Sequence, residues 1–347
     1  YVIIGNGIAG TTAAEVIRRA DPGGCVVLIS EEPYPLYNRV ALPRFLKGQV
    51  REEKVLMRTV EAHTKQGIKL LLETRVVGLN LEDRTVITEA GKELAFDRLL
   101  IASGGRPNRL NVPGAEAHGV FNFQTLDDAK AILAALKDAR RAVTIGGSFI
   151  GYELTEAFRA RGLEVTWLMR GPYFLSSFGY LDEDGGRIVD LIARRNGVEV
   201  IYEDEAAEVL VNCGRVKGVK TKRGRHLEAD VIGVGIGLSL NIDFLRGTPI
   251  ECRRGVLTDE YLRASVAGVY AAGDVAEFYD LITGERHALG TWPNAAQQGK
   301  VAAKNMLGAE EAFLEVPDYT SGLFDSNIAC SGVLPREHPD LEAIKWA

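Results

Sequence analysis

The sequence predicts an α/β fold of two Rossmann-like domains, each of three layers (ββα/α), the second inserted in the first. A short C-terminal α+β remnant is expected to follow. Two observations carry this expectation. The chain opens on the apolar β-branched run Val2-Ile3-Ile4, which feeds into Gly5-x-Gly7-x-x-Gly10 and then a helical stretch beginning near Ile8. The same order returns when Ala142-Val-Thr-Ile145 leads into Gly146-Gly147-Ser148-Phe149-Ile150-Gly151 and a helix through Arg161.

The chemistry of the first turn follows from its spacing. Gly5 permits a tight turn, Gly7 lets backbone approach an anion, and Gly10 lets helix and strand pack closely. The free N–H groups at Ile8, Ala9 and Gly10, with the positive end of the helix dipole, then face a pyrophosphate. One glycine turn is a weak signal, because such turns between strand and helix are common. Asp21-Pro22-Gly23-Gly24 ends the first helix, and Val26–Ile29 is the next buried strand. It stops at Ser30-Glu31, 21 residues beyond Gly10. An acid near that spacing accepts hydrogen bonds from a ribose.

Composition narrows the classes. A formal net charge of −6 argues against nucleic acid or an anionic membrane as main partner. No apolar run approaches the roughly 20 residues of a membrane-spanning helix. The four cysteines, Cys25, Cys213, Cys252 and Cys330, form no CxxC, and the five histidines show no ligand spacing. Neither a disulfide scaffold nor a metal site is expected, and a reducing cytoplasm is the simplest home.

Along the chain, residues 33–48 are rich in Pro and Tyr and carry Arg39, Arg44 and Lys47. They form either a surface loop or a cationic lid over a flavin. Residues 52–66 read as a short amphipathic helix, followed by a meander of short strands between 68 and 96. Residues 98–105 form a buried strand ending in glycines, with Ala102, Ser103 and Gly104 at its exit. Residues 227–237 repeat that form, ending at Gly237, and 268–276 give a further short strand ending in Gly273-Asp274.

The second glycine turn departs from the first in two ways. Ser148 stands at the middle glycine position, where its hydroxyl could bond a phosphate. The ribose acid is absent, since the following strand ends Leu168-Met169-Arg170. An acid there would repel a 2′-phosphate and an arginine could pair with one, so NADP is served at least as well as NAD. Arg170 pointing simply to solvent is the alternative.

YVIIGNGIAG, LLIASGGRPN, VTIGGSFIG, VIGVGIGLSLN and VYAAGDVAE occur in the order and spacing of the FAD-dependent pyridine nucleotide–disulfide oxidoreductase superfamily. The resemblance extends to about residue 312, and is greatest to the ferredoxin/rubredoxin reductase and nitrite reductase NAD(P)H-binding branch. It implies a split FAD-binding domain over 1–109 and 232–312, an inserted NAD(P)H-binding domain over 110–231, and a reduced or truncated C-terminal interface domain over 313–347. Gly5, Gly7 and Gly10 would hold the FAD pyrophosphate, Glu31 its adenosine ribose, and Asp274 its ribityl and pyrophosphate region. Arg39 would lie beside the isoalloxazine, and Ala102, Ser103, Gly104, Gly237 and Gly273 are further cofactor-binding candidates. Gly146, Ser148, Phe149, Ile150 and Gly151 would hold the NAD(P)H pyrophosphate. Glu153 resembles the family glutamate on the nicotinamide side, and Trp292 the segment before a helix whose N-terminus faces the flavin. Arg44 occupies a lid position where lysine is frequent, and arginine does not deprotonate.

One absence selects among branches. From Glu31 to Met57 there is no cysteine, so no dithiol relay is available. Cys25 is read as a core residue. The expected activity is therefore FAD-dependent hydride exchange with NADH or NADPH, with electrons passed to or from an external ferredoxin- or rubredoxin-like iron–sulfur protein or subunit. An oxidase or diaphorase using oxygen or small quinones is one alternative. A non-catalytic nucleotide-fold subunit is the other. The assembly expected is a homodimer or a subunit of a larger redox complex.

Overall fold

A computed structural model describes residues 1–176, 181–282, 284–315 and 318–331. Ten of its strands build two parallel sheets. They are β1 (Val2–Ile4), β2 (Val26–Ile29), β3 (Ile68–Leu71), β4 (Leu99–Ile101), β5 (Val120–Asn122), β6 (Arg141–Ile145), β7 (Glu164–Leu168), β8 (Val198–Ile201), β9 (Val231–Val234) and β10 (Val269–Ala271). The helices are α1 (Ile8–Ala20), α2 (Leu42–Leu46), α3 (Val60–Lys65), α4 (Leu126–Ala135), α5 (Phe149–Ala160), α6 (Glu183–Arg195) and α7 (Trp292–Met306).

The chain divides into two compact units. One comprises Tyr1–Asn38, Leu56–Arg106 and Ser239–Pro317; the other comprises Arg39–Val55, Pro107–Leu238 and Asp318–Ala347, the last piece being described to Ser331. The segment Arg39–Val55, inside the first span expected from sequence, thus belongs to the second unit.

In the first unit the sheet order is β10-β4-β1-β2-β3, all parallel. β1, β2, β4 and β10 are buried on both faces, as parallel strands generally are, while β3 at the sheet edge carries an exposed Lys69. Ile3, Leu28 and Leu100 pack with Ala13 and Ile17 of α1 and Val301 and Ala302 of α7. Val2, Ile4, Val27, Ile29, Leu99 and Ile101 point the other way, packing with Val86 and Phe96 of the antiparallel meander Val76–Asn80, Thr85–Thr88, Glu93–Ala95. Helix layer, sheet and meander are the three expected layers.

The second unit repeats the plan with order β8-β7-β6-β9-β5. One face of its sheet packs on the antiparallel strands Ala206–Asn212, Arg215–Thr221 and His226–Glu228 through Val209, Val216 and Val219. Near the other face, Leu154 and Phe158 of α5 approach Gly233 closely enough to leave room for no side chain there without displacement. The chain's last described element is a hairpin, Asp318–Leu323 with Ser326–Ser331. The remainder of the expected interface domain, from 332 onward, and His338 lie outside the described residues.

Two local expectations change. Residues 52–66 are not one helix: Glu52–Lys54 is a 3₁₀ turn, Val55 is buried, and α3 starts only where the Thr59 side chain accepts from Ala62 N. A new N-cap outcompetes a continuous helix here. Cys25 is exposed rather than in the core, because β2 begins one residue later at Val26.

Candidate functional site

Four strands of the first unit deliver residues to one carboxyl edge, the place where open α/β sheets bind ligands. Gly5 follows β1 at φ +110°, and any Cβ there would strike the Ala102 carbonyl at the end of β4. A Cβ on Gly10 would strike the Gly5 carbonyl. These two glycines are therefore demanded by the chain itself. Gly7 is different: a Cβ there would meet nothing within 4 Å, and as N-cap of α1 it supplies no side-chain hydrogen bond. The first N–H groups of α1 thus lack a side-chain cap in front of open space, which fits a pyrophosphate.

Around this turn, Glu31 stands two residues past β2 with its side chain 70% exposed, 3.8 Å from Arg75. Ser103 Oγ donates to the Asn241 carbonyl at 2.8 Å, and Asn241 Nδ2 returns a bond to the Ser103 carbonyl at 2.9 Å. Gly104 follows with φ +62°. Beyond β10, Gly273 at φ +79° places its N–H 2.7 Å from Gln298 Oε1 on α7. Asp274, half-buried, lies beside Gly290. Gly299 lets α7 press onto the Ala9 backbone of α1.

Two buried polar atoms here have no hydrogen-bond partner: Gln298 Nε2 and the Thr291 hydroxyl at the N-cap of α7. A buried orphan donor costs about 1–3 kcal/mol unless a ligand satisfies it. Trp292 is half-buried at the first position of α7, with Pro293 next. Open space at Gly7 and the orphan atoms on α7 fit a large polar cofactor such as FAD. Gln298 and Thr291 escaped the sequence reading, because their geometry depends on a helix far along the chain from Gly5.

The second unit carries the other turn. Gly146, at φ +121°, would clash through any Cβ with the Gly235 carbonyl, and Gly151 would clash with that of Gly146. Ser148 caps α5, but its hydroxyl donates to the Gly235 carbonyl at 2.6 Å and accepts from Gly151 N at 3.3 Å. Its one proton is thus directed to the Gly235 carbonyl. The serine latches the turn to the end of β9. Phe149 stacks on Tyr319 of the C-terminal hairpin, with centroids 3.5 Å apart and rings 25° from parallel. Met169 is wholly buried, its sulfur directed toward Gly147, and Arg170 is exposed. Gly237, at φ +98°, accepts from Asn108 N at 2.9 Å.

The lid segment behaves differently from its sequence reading. Arg39 Nη1 donates to the Gln124 carbonyl at 2.9 Å. Arg44 is exposed, whereas Lys47, one turn later, is half-buried with Nζ 2.8 Å from Glu156 Oε2 on α5. Tyr152 OH donates to the same oxygen at 3.1 Å, and burial with the nearby Glu156 charge raises the Tyr152 phenol far above its ordinary range. Glu153, next in the chain, pairs with neither cation. Burial, then the Glu156 charge, push its carboxyl up to about 8, and Lys47 opposes them. A sequence signal existed: Glu156 lies three residues after Glu153 and four after Tyr152, one helical turn away.

Among the described residues no group of three His, Cys, Asp or Glu could hold a metal ion, and no helix is long and apolar enough to cross a membrane.

Comparison with known proteins agrees with this geometry. The chain is 28% identical over 333 residues to the nitrite reductase [NAD(P)H] of Bacillus subtilis (strain 168), covering 96% of this chain and 40% of that protein. It therefore spans about two fifths of that relative's length. It is 33% identical over 310 residues to the ferredoxin–NAD(+) reductase component of the p-cumate 2,3-dioxygenase system of Pseudomonas putida, covering 88% and 74%. Among solved structures it superimposes on the covalent putidaredoxin reductase–putidaredoxin complex with a TM-score of 0.90 at 26% identity, covering 96% and 81%. The family described as pyridine nucleotide-disulphide oxidoreductase matches residues 1–299. With two glycine turns on two parallel sheets, the chain belongs to the pyridine nucleotide-disulphide oxidoreductase family.

Proposed function

We propose that the chain is an FAD-dependent NAD(P)H oxidoreductase that exchanges electrons with an iron–sulfur protein or subunit. The observation that carries this reading is the duplication: each of two parallel sheets ends in its own strand–glycine–helix turn at the carboxyl edge. FAD belongs to the first turn, where Gly5, Gly7 and Gly10 would admit its pyrophosphate, Glu31 would bind its ribose, and Asp274 its ribityl region. NADH or NADPH belongs to the second, held by Gly146, Gly151 and the amides of Phe149 and Ile150, with Arg170 available to a 2′-phosphate. When bound, a flavin takes up two electrons as hydride and releases them singly.

The chain's own residues bind and orient. Gln298 Oε1 fixes the Gly273 backbone beside Asp274, while its Nε2 remains available to the cofactor. The Ser148 latch holds the second turn ready before a nucleotide arrives. Burial, then the Glu156 charge, raise the Glu153 carboxyl beside that turn to about 8. An external carrier is part of the reading because no cysteine lies between Glu31 and Met57 to take electrons within the chain. The ferredoxin reductase likeness and the putidaredoxin complex support an iron–sulfur partner.

The experiment is cofactor analysis of the native protein beside Asp274→Ala. The native protein is expected to carry FAD, and the variant to bind it about 10- to 100-fold more weakly, the worth of a charged hydrogen bond. Full flavin occupancy in the variant would remove Asp274 from the site.

A further inference from the structure

Helix α6 carries an outward face that the reading above leaves unused. Its inner face is set by Gly186, Val189 and Ala193, all buried. At about 100° per residue, Asp184, Ile188, Leu191 and Arg195 share one stripe about 60° wide on the opposite side of the helix. Ile188 is 49% exposed and Leu191 67% exposed. A surface helix ordinarily turns polar residues outward, and two large aliphatic side chains in mid-stripe break that rule. The arginines beside the stripe are paired within the helix, Arg187 with Glu183 at 2.7 Å and Arg194 with Asp190 at 2.9 Å. Arg195 is exposed and makes no ion pair among the described residues.

We propose that this stripe docks on the same stripe of a second copy of the chain, the two α6 helices packing antiparallel about a two-fold axis. The order of the four residues argues for that occupant. Asp184 and Arg195 lie equally far from a midpoint between Val189 and Asp190, and Ile188 and Leu191 share the same midpoint. Two copies laid antiparallel about it place Asp184 against the partner's Arg195 at each end and Ile188 against the partner's Leu191 within. Such a surface is complementary to itself, as a two-fold interface must be. A parallel pairing would set like charges together at both ends, so the charges also fix the direction.

One helix per copy buries less than the roughly 1,200 Å² of a standard interface, so the dimer is a weak one, with a dissociation constant on the order of 10–100 μM. Its apolar centre supplies the affinity. The end charges, about 16 Å apart on each helix, are exposed and set register rather than strength. A lipid surface fits the stripe poorly, because it offers only two apolar side chains between charges of both signs.

The test is sedimentation equilibrium of the native holoprotein over roughly 1–300 μM, a range that brackets that constant. A monomer–dimer equilibrium is expected. Leu191→Glu should weaken it at least about tenfold, as loss of a buried leucine implies. At so exposed a position the same change should leave the melting temperature nearly unaltered. Asp184→Arg and Arg195→Asp should each weaken the dimer alone, since each sets like charges together at both ends. Mixed in equal amounts, these two variants should form a heterodimer in which both end pairs are restored, and that rescue also shows that both are folded. A monomer throughout, a dimer indifferent to Leu191→Glu, or a mixture of normally melting variants that stays monomeric overturns the proposal. So does a native protein that carries a different polypeptide on this face, released by Leu191→Glu.

Discussion

The backbone N–H of Gly273 donates to the side-chain oxygen of Gln298 at 2.7 Å. This bond ties the end of one parallel strand to a helix that also lies on α1, and leaves Gln298 Nε2 buried and unsatisfied. Gln298→Met deprives the Gly273 N–H of its acceptor in the interior. It is expected to lower stability by about 1–3 kcal/mol and to weaken flavin retention beyond that. Chemical denaturation of flavin-free and flavin-loaded protein separates the two effects. Equal losses in both forms would confine Gln298 to a structural role.

The glycines of the first turn answer to different masters. Gly10→Ala collides with the Gly5 carbonyl and should cost about 1–3 kcal/mol, typical of overpacking. Gly7→Ala meets no protein atom and should leave the flavin-free melting temperature nearly unchanged. Its methyl group would stand where the phosphates approach, so FAD affinity should fall at least about tenfold. Unchanged affinity would mean that nothing approaches there.

Arg170 is exposed at the end of a strand that offers a buried methionine in place of an acid. Arg170→Ala is expected to reduce the preference for NADPH over NADH about tenfold, as loss of one charged hydrogen bond implies. Steady-state kcat/KM for both nucleotides reads this directly. An unchanged ratio would return Arg170 to the solvent.

Glu153 also predicts how stability depends on pH. Its carboxyl is held above its ordinary range in the folded chain, so the folded state keeps a proton that the unfolded chain releases. That contribution is fully present below the ordinary carboxylate range and is lost as pH rises through about 8. Glu153→Gln removes the dependence, so its melting temperature should gain on the unaltered protein as pH rises from about 5 to about 8. Parallel melting curves across that range would contradict the shift.

Much of this architecture was legible because its demands are local. Gly10 is required by the Gly5 carbonyl within one turn, and Gly151 is required in the same way by that of Gly146. The alternation of Val2, Ile3 and Ile4 between the two faces of the sheet follows from strand geometry alone. What escaped was set by contacts distant in sequence. Which turn of the short α2 region faces inward, Arg44 or Lys47, depends on α5, more than 100 residues away. The sequence does not show that the Ser148 hydroxyl donates to Gly235, 87 residues on. Cys25 fell outside the core because pairing of β1 with β2 begins at Val27 opposite Val2, a register that composition does not set.

The central claim is that two nucleotide sites in one chain exchange electrons through a flavin. Anaerobic titration of the purified native protein with NADH and with NADPH, followed by its flavin spectrum, tests it most directly. The account predicts a yellow protein that is bleached by at least one nucleotide and regains its colour on adding an oxidised ferredoxin-like protein. A colourless protein, or a flavin that neither nucleotide reduces, would contradict it.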